Sequence, residues 1–284
     1  MSLAWWPAPA KLNLLLHVTA RRADGYHELQ TLFQLIDLCD QLSFELRDDG
    51  QILRLDDAAA APGPLAAIAS EDDLCVRAAR ALRQAVGADF GVSIRVRKRI
   101  PMGGGLGGGS SDAATTLLVV NALCGLGLGR PALAEIGLGL GADVPLFVAG
   151  RCSVGEGVGE RLTPVQLPAS WYLLIHPGVS VPTREIFQAA ELTRNSPVLT
   201  IPALLASGGR NDCEPVVRSR YPEVASALDW LGQFATARLT GTGSCLFAPF
   251  ASAAAAERVA ARVPDHWRAW VVQGLAESPL LQRL

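Results

Sequence analysis

Lysine is nearly absent: among 284 residues only Lys11 and Lys98 carry an ammonium group, and every other basic side chain is arginine. Chemistry that needs an amine therefore has two candidates. No CxxC pair occurs among the six cysteines at positions 39, 75, 124, 152, 213 and 245, which argues against a zinc ribbon or a thioredoxin-type site and leaves buried, reduced thiols. There is no dense Lys/Arg run, and 25 basic against 27 acidic residues give a net charge of −2, so the electrostatic footprint of a nucleic-acid binder is missing. A membrane-spanning run is missing too. Ala113 to Gly129 carries no charge, but two Thr, an Asn and several Gly keep it short of the roughly 20 apolar residues a span needs. The opening MSLAWWPAPAK lacks the early positive charge and long apolar stretch of a secretory leader. The expectation is a soluble cytoplasmic protein with no nucleic-acid partner, no membrane and no obligatory protein partner.

What is present is a core. Half of the residues are hydrophobic and 18% are charged, which excludes disorder. The length suits two domains, and a division near residue 160 gives units of 1–160 and 161–284. Residues 10–18 (AKLNLLLHV) read as a strand, followed by the turn signal Ala23-Asp24-Gly25 and an apolar stretch from Glu28 to Ile36. Asp48-Asp49-Gly50, flanked by Phe44, Leu46, Ile52, Leu53 and Leu55, reads as the turn of a hairpin. Ala58 to Leu65 reads as a loop. Ser70-Glu71-Asp72-Asp73 supplies capping and acidic first-turn residues ahead of a helix to about Val86. Val92, Ile94 and Val96 alternate with polar residues as a strand. Helices are expected over about 112–123, 131–140, 184–192, 214–233 and 252–263. Strands are expected over 171–176, 238–240, 245–248 and 268–272. Mixed elements without regular βα alternation indicate an α+β fold.

Between the strand at 92–96 and the helix at 112 lies Pro101-Met102-Gly103-Gly104-Gly105-Leu106-Gly107-Gly108-Gly109-Ser110-Ser111. Six glycines in seven positions allow positive φ and close approach of backbone to a ligand. The following helix start presents unpaired N–H groups, so phosphate is the anion that fits; the alternative is an elaborate turn with a serine cap. The loop satisfies GxGxxG, but no acid follows between Ala113 and Ala134 to bind a ribose, as a dinucleotide-dependent oxidoreductase requires. No Gly-Lys-Ser/Thr is present for a P-loop, and HRD and DFG are absent, which excludes a protein kinase.

The segment PMGGGLGGGSSDAA resembles the central motif of the GHMP kinases, small-molecule kinases named for galactose, homoserine, mevalonate and phosphomevalonate. PAPAKLNLLLHVTARRADGYHELQTLF is similar to one branch of that family, whose substrate carries a cytosine ring and a diphosphate. LGADVPLFVAG, EGVGE, HPGVSVPT, ND-C-E and LTGTGSCLFA extend the likeness over residues 7 to 250, in the family's order. The resemblance implies a two-domain α+β kinase whose active site lies in the cleft between a nucleotide-binding N-terminal domain and a C-terminal domain. It implies ATP as phosphoryl donor with Mg²⁺ and residues 101–111 as the ATP cradle. Lys11 and Asp143 are then the catalytic pair, and Asn13, Tyr26, His27 and Phe187 bind the cytidyl diphosphate substrate. Within the same fold, homoserine or mevalonate as substrate is the competing reading, against which the Asp24-Gly25-Tyr26-His27 segment argues.

Those roles are chemically sensible. A lysine beside an aspartate keeps the carboxylate ionised and able to accept a hydroxyl proton. Asn13, two residues along a strand from Lys11, lies on its side and can orient that hydroxyl. Tyr26, His27 and Phe187 supply ring faces and a ring edge for a base. By position alone, Asp143 reads equally well as a surface acid after a helix, Tyr26 and His27 as loop-surface residues, and Phe187 as a helix core residue. The turn Thr240-Gly241-Thr242-Gly243-Ser244 lies near the phosphates in the family and by itself is an ordinary hairpin turn; Asn211-Asp212 is a candidate support for it. One departure concerns Asp73, where the resemblance calls for Asn on the adenine side: an ionised carboxylate offers only acceptors. The metal ligands are left open, with the hydroxyls of Ser110 and Ser111 as candidates.

Overall fold

A computed structural model describes residues 4–55, 69–206 and 209–284, so the expected loop from Ala58 to Leu65 lies outside the described residues. The chain opens with β1 (Trp6–Arg21) and β2 (His27–Arg47), paired antiparallel around the turn at Asp24-Gly25. Gly25 takes φ +88° there, a conformation that disfavours a side chain, and Asp24 accepts a hydrogen bond from the Tyr26 amide at 3.0 Å. Then come β3 (Ile52–Leu55), α1 (Leu74–Val86), β4 (Gly91–Arg97), α2 (Gly108–Leu123), α3 (Arg130–Leu138), α4 (Val144–Ala149), β5 (Ser153–Gly157) and β6 (Arg161–Pro164). The remainder is β7 (Trp171–His176), α5 (Thr183–Gln188), α6 (Ile201–Ala206), α7 (Glu214–Arg220), α8 (Pro222–Gly232), β8 (Arg238–Leu239), β9 (Leu246–Phe250), α9 (Ala253–Ala260) and β10 (Arg268–Leu275).

One sheet runs through the molecule in the order β3-β4-β2-β10-β7-β9-β8, with β1, β5 and β6 attached through β2. One edge of β2 carries β1, while its other edge pairs in turn with β5 at 29–33, β10 at 35–36 and β4 at 41–47. The mixed architecture matches the α+β reading, but two local expectations are corrected. The Asp48-Asp49-Gly50 turn does not close a hairpin: β4 is inserted between β2 and β3, and β3 runs parallel to it. The apolar face of β4 (Val92 and Ile94, both fully buried) makes that central place the favourable one. The helix expected over 214–233 is two, α7 and α8, because Pro222 has no N–H to continue the first and instead opens the second. α5 also ends earlier than expected, at Gln188, and α9 at Ala260.

Two apolar layers hold the helices to this sheet. In one, Val76, Ala79 and Leu82 of α1 and Leu117 and Val120 of α2 pack with Leu42, Val92 and Ile94. In the other, Ile186, Val217, Val224 and Leu228 pack with Leu173, Ile175 and Leu246. Every residue of α2 from Ser111 to Val120 is buried, so the uncharged stretch from Ala113 is a core helix enclosed by protein. Among the described residues no helix is long and apolar enough to cross a membrane.

Candidate active site

The glycine-rich loop leaves β4 and enters α2 directly, with Gly107 in the N-cap position. Gly103, Gly105 and Gly107 have φ of +67°, +74° and +72°. At all three a close neighbour stands inside the protein; a Cβ on Gly103 would lie 2.7 Å from Ser180 Oγ. A Cβ on Gly105 would lie 2.2 Å from the Thr240 carbonyl oxygen, and one on Gly107 would lie 2.9 Å from the Phe147 ring and 3.2 Å from Lys11 Cε. A side chain at either position therefore collides with the protein itself: at Gly105 with the second glycine turn, and at Gly107 with α4 and β1. The two turns interlock. The Cys245 amide donates to the Gly104 carbonyl (3.1 Å), and Thr240 Oγ1 donates to the Gly105 carbonyl (3.4 Å). Asn211 supports the second turn by donating to the Leu239 and Gly241 carbonyls at 2.9 and 2.7 Å, the supporting role expected for it.

A cavity of about 580 Å³ opens along the loop. Residues 101–110 line it together with Lys11, Asn13, Asp143, Thr242 and Phe187. Lys11 comes from the middle of β1, where its amide is tied to the Leu106 carbonyl at 3.0 Å. Its ammonium, 4% exposed, donates to Asn13 Oδ1 (2.5 Å) and the Gly105 carbonyl (3.0 Å), and faces Asp143 Oδ2 at 3.4 Å. These three acceptors match the three donors of an ammonium, which is how a buried lysine is accommodated in an apolar strand. Asp143 precedes α4 and makes no capping bond to it; at 31% exposed, it is open to a ligand. Asn13 is held from three sides: its amide donates to Thr240 Oγ1 (2.9 Å), its Nδ2 to Thr31 Oγ1 (2.8 Å), and its Oδ1 accepts from Lys11. Ser110 Oγ lies beside Gly141, 3.6 Å from where a Cβ would stand, and so flanks the turn that carries Asp143. Ser111 is wholly buried in the first turn of α2, and its hydroxyl has no partner.

The expected base-binding residues divide. Phe187 lines the cavity, and the His27 ring stacks on it with centroids 5.3 Å apart. His27 is buried against Phe187 and Tyr26 is 65% exposed, and neither of the two is part of the cavity wall. At the other end, Asp73 caps α1, with Oδ1 accepting from the Cys75 and Val76 amides (2.9 and 3.2 Å) and Oδ2 paired with Arg54 at 2.8 Å. Its carboxylate is thus occupied by the fold, which gives a structural reason for an acid where the resemblance calls for an amide.

One cluster was not anticipated. The second lysine, Lys98, also lines the cavity, where its ammonium bonds Asp40 Oδ2 and, at 2.7 Å, Asp112 Oδ2. Asp40 Oδ1 accepts from the amides of Arg99 and Ile100 (2.5 and 2.9 Å), so this triad fastens the strand just before the glycine loop. Asp112 Oδ1 has no partner. Two buried carboxylates share one ammonium. Burial pushes the Asp112 carboxyl up, to about 8, against the pull of Lys98, and Asp40 adds to the rise. Burial also works against the Lys98 charge, yet Asp112 and Asp40 together keep its pKa above the ordinary lysine value. The signal in the sequence was the scarcity of lysine itself: both copies are spent on this one cavity.

Residues 73–151 match the model of the GHMP kinases N terminal domain, and residues 189–269 match that of the GHMP kinases C terminal. A 4-diphosphocytidyl-2-C-methyl-D-erythritol kinase of Halorhodospira halophila is 55% identical, covering 97% of this chain and 94% of its own. The enzyme of the same name from Nitrosococcus oceani is 53% identical, covering 98% and 97%. Among solved structures, a crystal structure of 4-(cytidine 5'-diphospho)-2C-methyl-D-erythritol kinase superposes with a TM-score of 0.79 at 34% identity, covering 95% of this chain and 99% of that one. The mevalonate kinase of Methanococcus jannaschii, at 14% identity and a TM-score of 0.71, shares the fold. A glycine cradle interlocked with a second glycine turn, a lysine–aspartate pair beside it and likeness along nearly the whole length place this chain in the GHMP kinase family, on the branch of the 4-diphosphocytidyl-2-C-methyl-D-erythritol kinases.

Proposed function

We propose that this chain transfers the γ-phosphoryl group of ATP to the 2-hydroxyl of 4-diphosphocytidyl-2-C-methyl-D-erythritol, giving the 2-phosphate and ADP, a step in the non-mevalonate route to isoprenoid precursors. The observation that carries the reading is the shared cavity: the glycine cradle, the Lys11–Asp143 pair at 3.4 Å and the ring of Phe187 line one space. In this reading residues 1–160 hold the nucleotide, residues 161–284 help to close the site over it, and the backbone of 101–111 cradles the phosphates. The substrate oxygen forms a bond to the γ-phosphorus while the bond from that phosphorus to the β,γ-bridging oxygen breaks. Asp143 takes the hydroxyl proton or holds it by a hydrogen bond, then passes it to solvent. Lys11 faces the Asp143 carboxylate at 3.4 Å and is itself positioned by the Gly105 carbonyl, so loop and base stay in register. Asn13 orients the hydroxyl; His27, Phe187 and the exposed Tyr26 recognise the cytosine.

Ser110 and Asp143 lie on adjacent turns at the phosphate end of the cavity. Oxygen donors of this kind fit a Mg²⁺ ion held mainly by nucleotide phosphates and water. They would hold it there, and its contribution is to neutralise phosphate charge. All six cysteines are free thiols, in keeping with a reducing cytoplasm as the place of action. The deciding experiment is ATP consumption measured in parallel with the diphosphocytidyl substrate, homoserine and mevalonate. Turnover with the first alone is expected; turnover with homoserine or mevalonate in its stead would refute the assignment.

A further inference from the structure

The first half of the glycine loop is backed by the C-terminal half of the chain, one glycine at a time. Ser180 stands against Gly103, Cys245 against Gly104 and the Thr240 carbonyl against Gly105, and His176 Cδ2 lies 3.6 Å from where a Cβ on Gly104 would stand. His176 ends β7, and the corner that follows it, Pro177-Gly178, leads to Ser180. Its Nδ1 accepts from the Gly178 amide at 3.0 Å. An amide can only donate, so Nδ1 holds a lone pair and the neutral ring carries its hydrogen on Nε2. Nε2 faces Ser244 Oγ at 3.5 Å, and the Ser244 hydroxyl donates to the Val179 carbonyl. The donors run one way, from ring to Ser244 to Val179, and tie the corner to the second glycine turn. Arg268, opposite His176 on β10, is the charge beside the ring, and the Cys245 thiol is its titratable neighbour. Burial, then Arg268, hold the pKa of His176 below its ordinary value, and burial pushes the Cys245 thiol up. At neutral pH the ring is uncharged and the thiol keeps its proton.

We propose that His176 is a positioning residue for the nucleotide: its neutral Nε2–H form clamps the 176–180 corner to the second glycine turn, and the clamp holds Gly103 and Gly104 in the shape that receives phosphates. The proposal rests on the reading of residues 101–111 as the phosphate cradle and adds a control on its shape from the other half of the chain. The ring acts without touching ATP. A proton on Nδ1 would set N–H against the Gly178 amide, donor against donor, and the corner would turn away from the ring. Ser180 belongs to that corner and Ser244 is bonded to it through Val179, so both would shift with it. Gly103, Gly105 and Gly107 all stand at positive φ, and glycines released from their wall regain conformations that a phosphate then has to remove. The clamp contains neither Lys11 nor Asp143, so its failure shows in nucleotide affinity.

The test is calorimetric binding of ATP at about pH 7.5 and about pH 5, either side of the histidine range, read as the ratio of variant to wild-type Kd so that titration of the phosphates cancels. His176→Phe keeps the bulk of the ring and loses both nitrogens. Its ratio should be roughly two- to ten-fold at the higher pH, the range for one hydrogen bond, and close toward unity at the lower as the wild-type ring takes its proton. His176→Asn keeps an acceptor for the amide two residues on and has no titrating ring. It should stay near wild type at the higher pH and bind ATP more tightly than wild type at the lower. In ¹⁵N NMR the wild-type ring, assigned by its loss in His176→Asn, should carry its hydrogen on Nε2. If His176 only fills space, His176→Phe will bind ATP as wild type does, or its ratio will be the same at both pH values, and either result overturns the proposal. An Nδ1–H ring in the wild type overturns it without any variant. Affinity for the diphosphocytidyl substrate should hold in both variants; a loss equal to that for ATP would mean that the corner braces the whole cleft, which also overturns it. A wild type with the Nε2–H ring that binds no ATP at either pH refutes the cradle reading, and the proposal with it.

Discussion

The two lysines of this chain line the same cavity and do opposite things. Lys11 meets neutral acceptors, Asn13 and the Gly105 carbonyl, and a single carboxylate that is one-third open to the cavity. Lys98 meets two carboxylates that are both buried, one of them also held by two backbone amides. A carboxylate is useful as a proton acceptor only if one oxygen is left for the substrate, as on Asp143. Asp40 has none to spare, and Asp112 keeps its spare oxygen enclosed. On the function proposed above, the difference between a reactive and a structural ion pair therefore lies in what else the acid touches.

The sharpest way to break this comparison is to remove the charge of each acid in turn. Asp143→Asn should lower kcat by about 10²–10⁴-fold with ATP affinity nearly unchanged, read by steady-state kinetics and calorimetry. Near-full turnover at neutral pH would take Asp143 out of the chemistry. Lys98→Met leaves Asp40 and Asp112 facing each other without a cation. A loss of about 3–5 kcal/mol in unfolding free energy is expected, the range for breaking a buried pair, seen in urea titration before any catalytic defect. A Lys98→Met protein as stable as wild type would mean that the triad does not fasten the loop.

The smallest effect concerns pH. The folded-state pKa of Asp112 is raised, so its contribution to stability is fully present below the ordinary carboxylate range and declines as pH rises through about 8. Asp112→Asn removes that dependence. The variant should gain on the wild type in thermal unfolding as pH goes from about 5 to 8, with the difference levelling off above. Parallel profiles over that window would show that Asp112 gives up its proton as readily folded as unfolded.

Features carried by neighbours in sequence were legible. The glycine loop, the turn at Gly25, the helix that follows Asp73 and the strand of Val92, Ile94 and Val96 all announce themselves within a dozen residues, because turn chemistry and side-chain alternation are local. What depends on the sheet's order was not. The residues around Gly50 look like a hairpin because nothing near them tells that β4, some forty residues on, takes the place beside β2. Asp40, Lys98 and Asp112 carry no motif, and meet only because β2, the start of the loop and α2 converge. Lys11 and Asp143 were found through family likeness; 132 residues of sequence separate them, and no spacing rule joins them.

The length of β2 has a consequence for how the chain reaches this state. Gln34 donates to the Leu275 carbonyl across 241 positions, at the place where β10 joins the edge of β2 between β5 and β4. During synthesis that stretch of edge stays unpaired until residue 275 has left the ribosome, even when β1, β4 and β5 are already in place. An open strand edge in a half-made chain is a template for pairing with a neighbour. Completion of the sheet is thus the last step available to the nascent chain, and a truncation before β10 would leave a sticky, unfinished seam in the middle of the sheet.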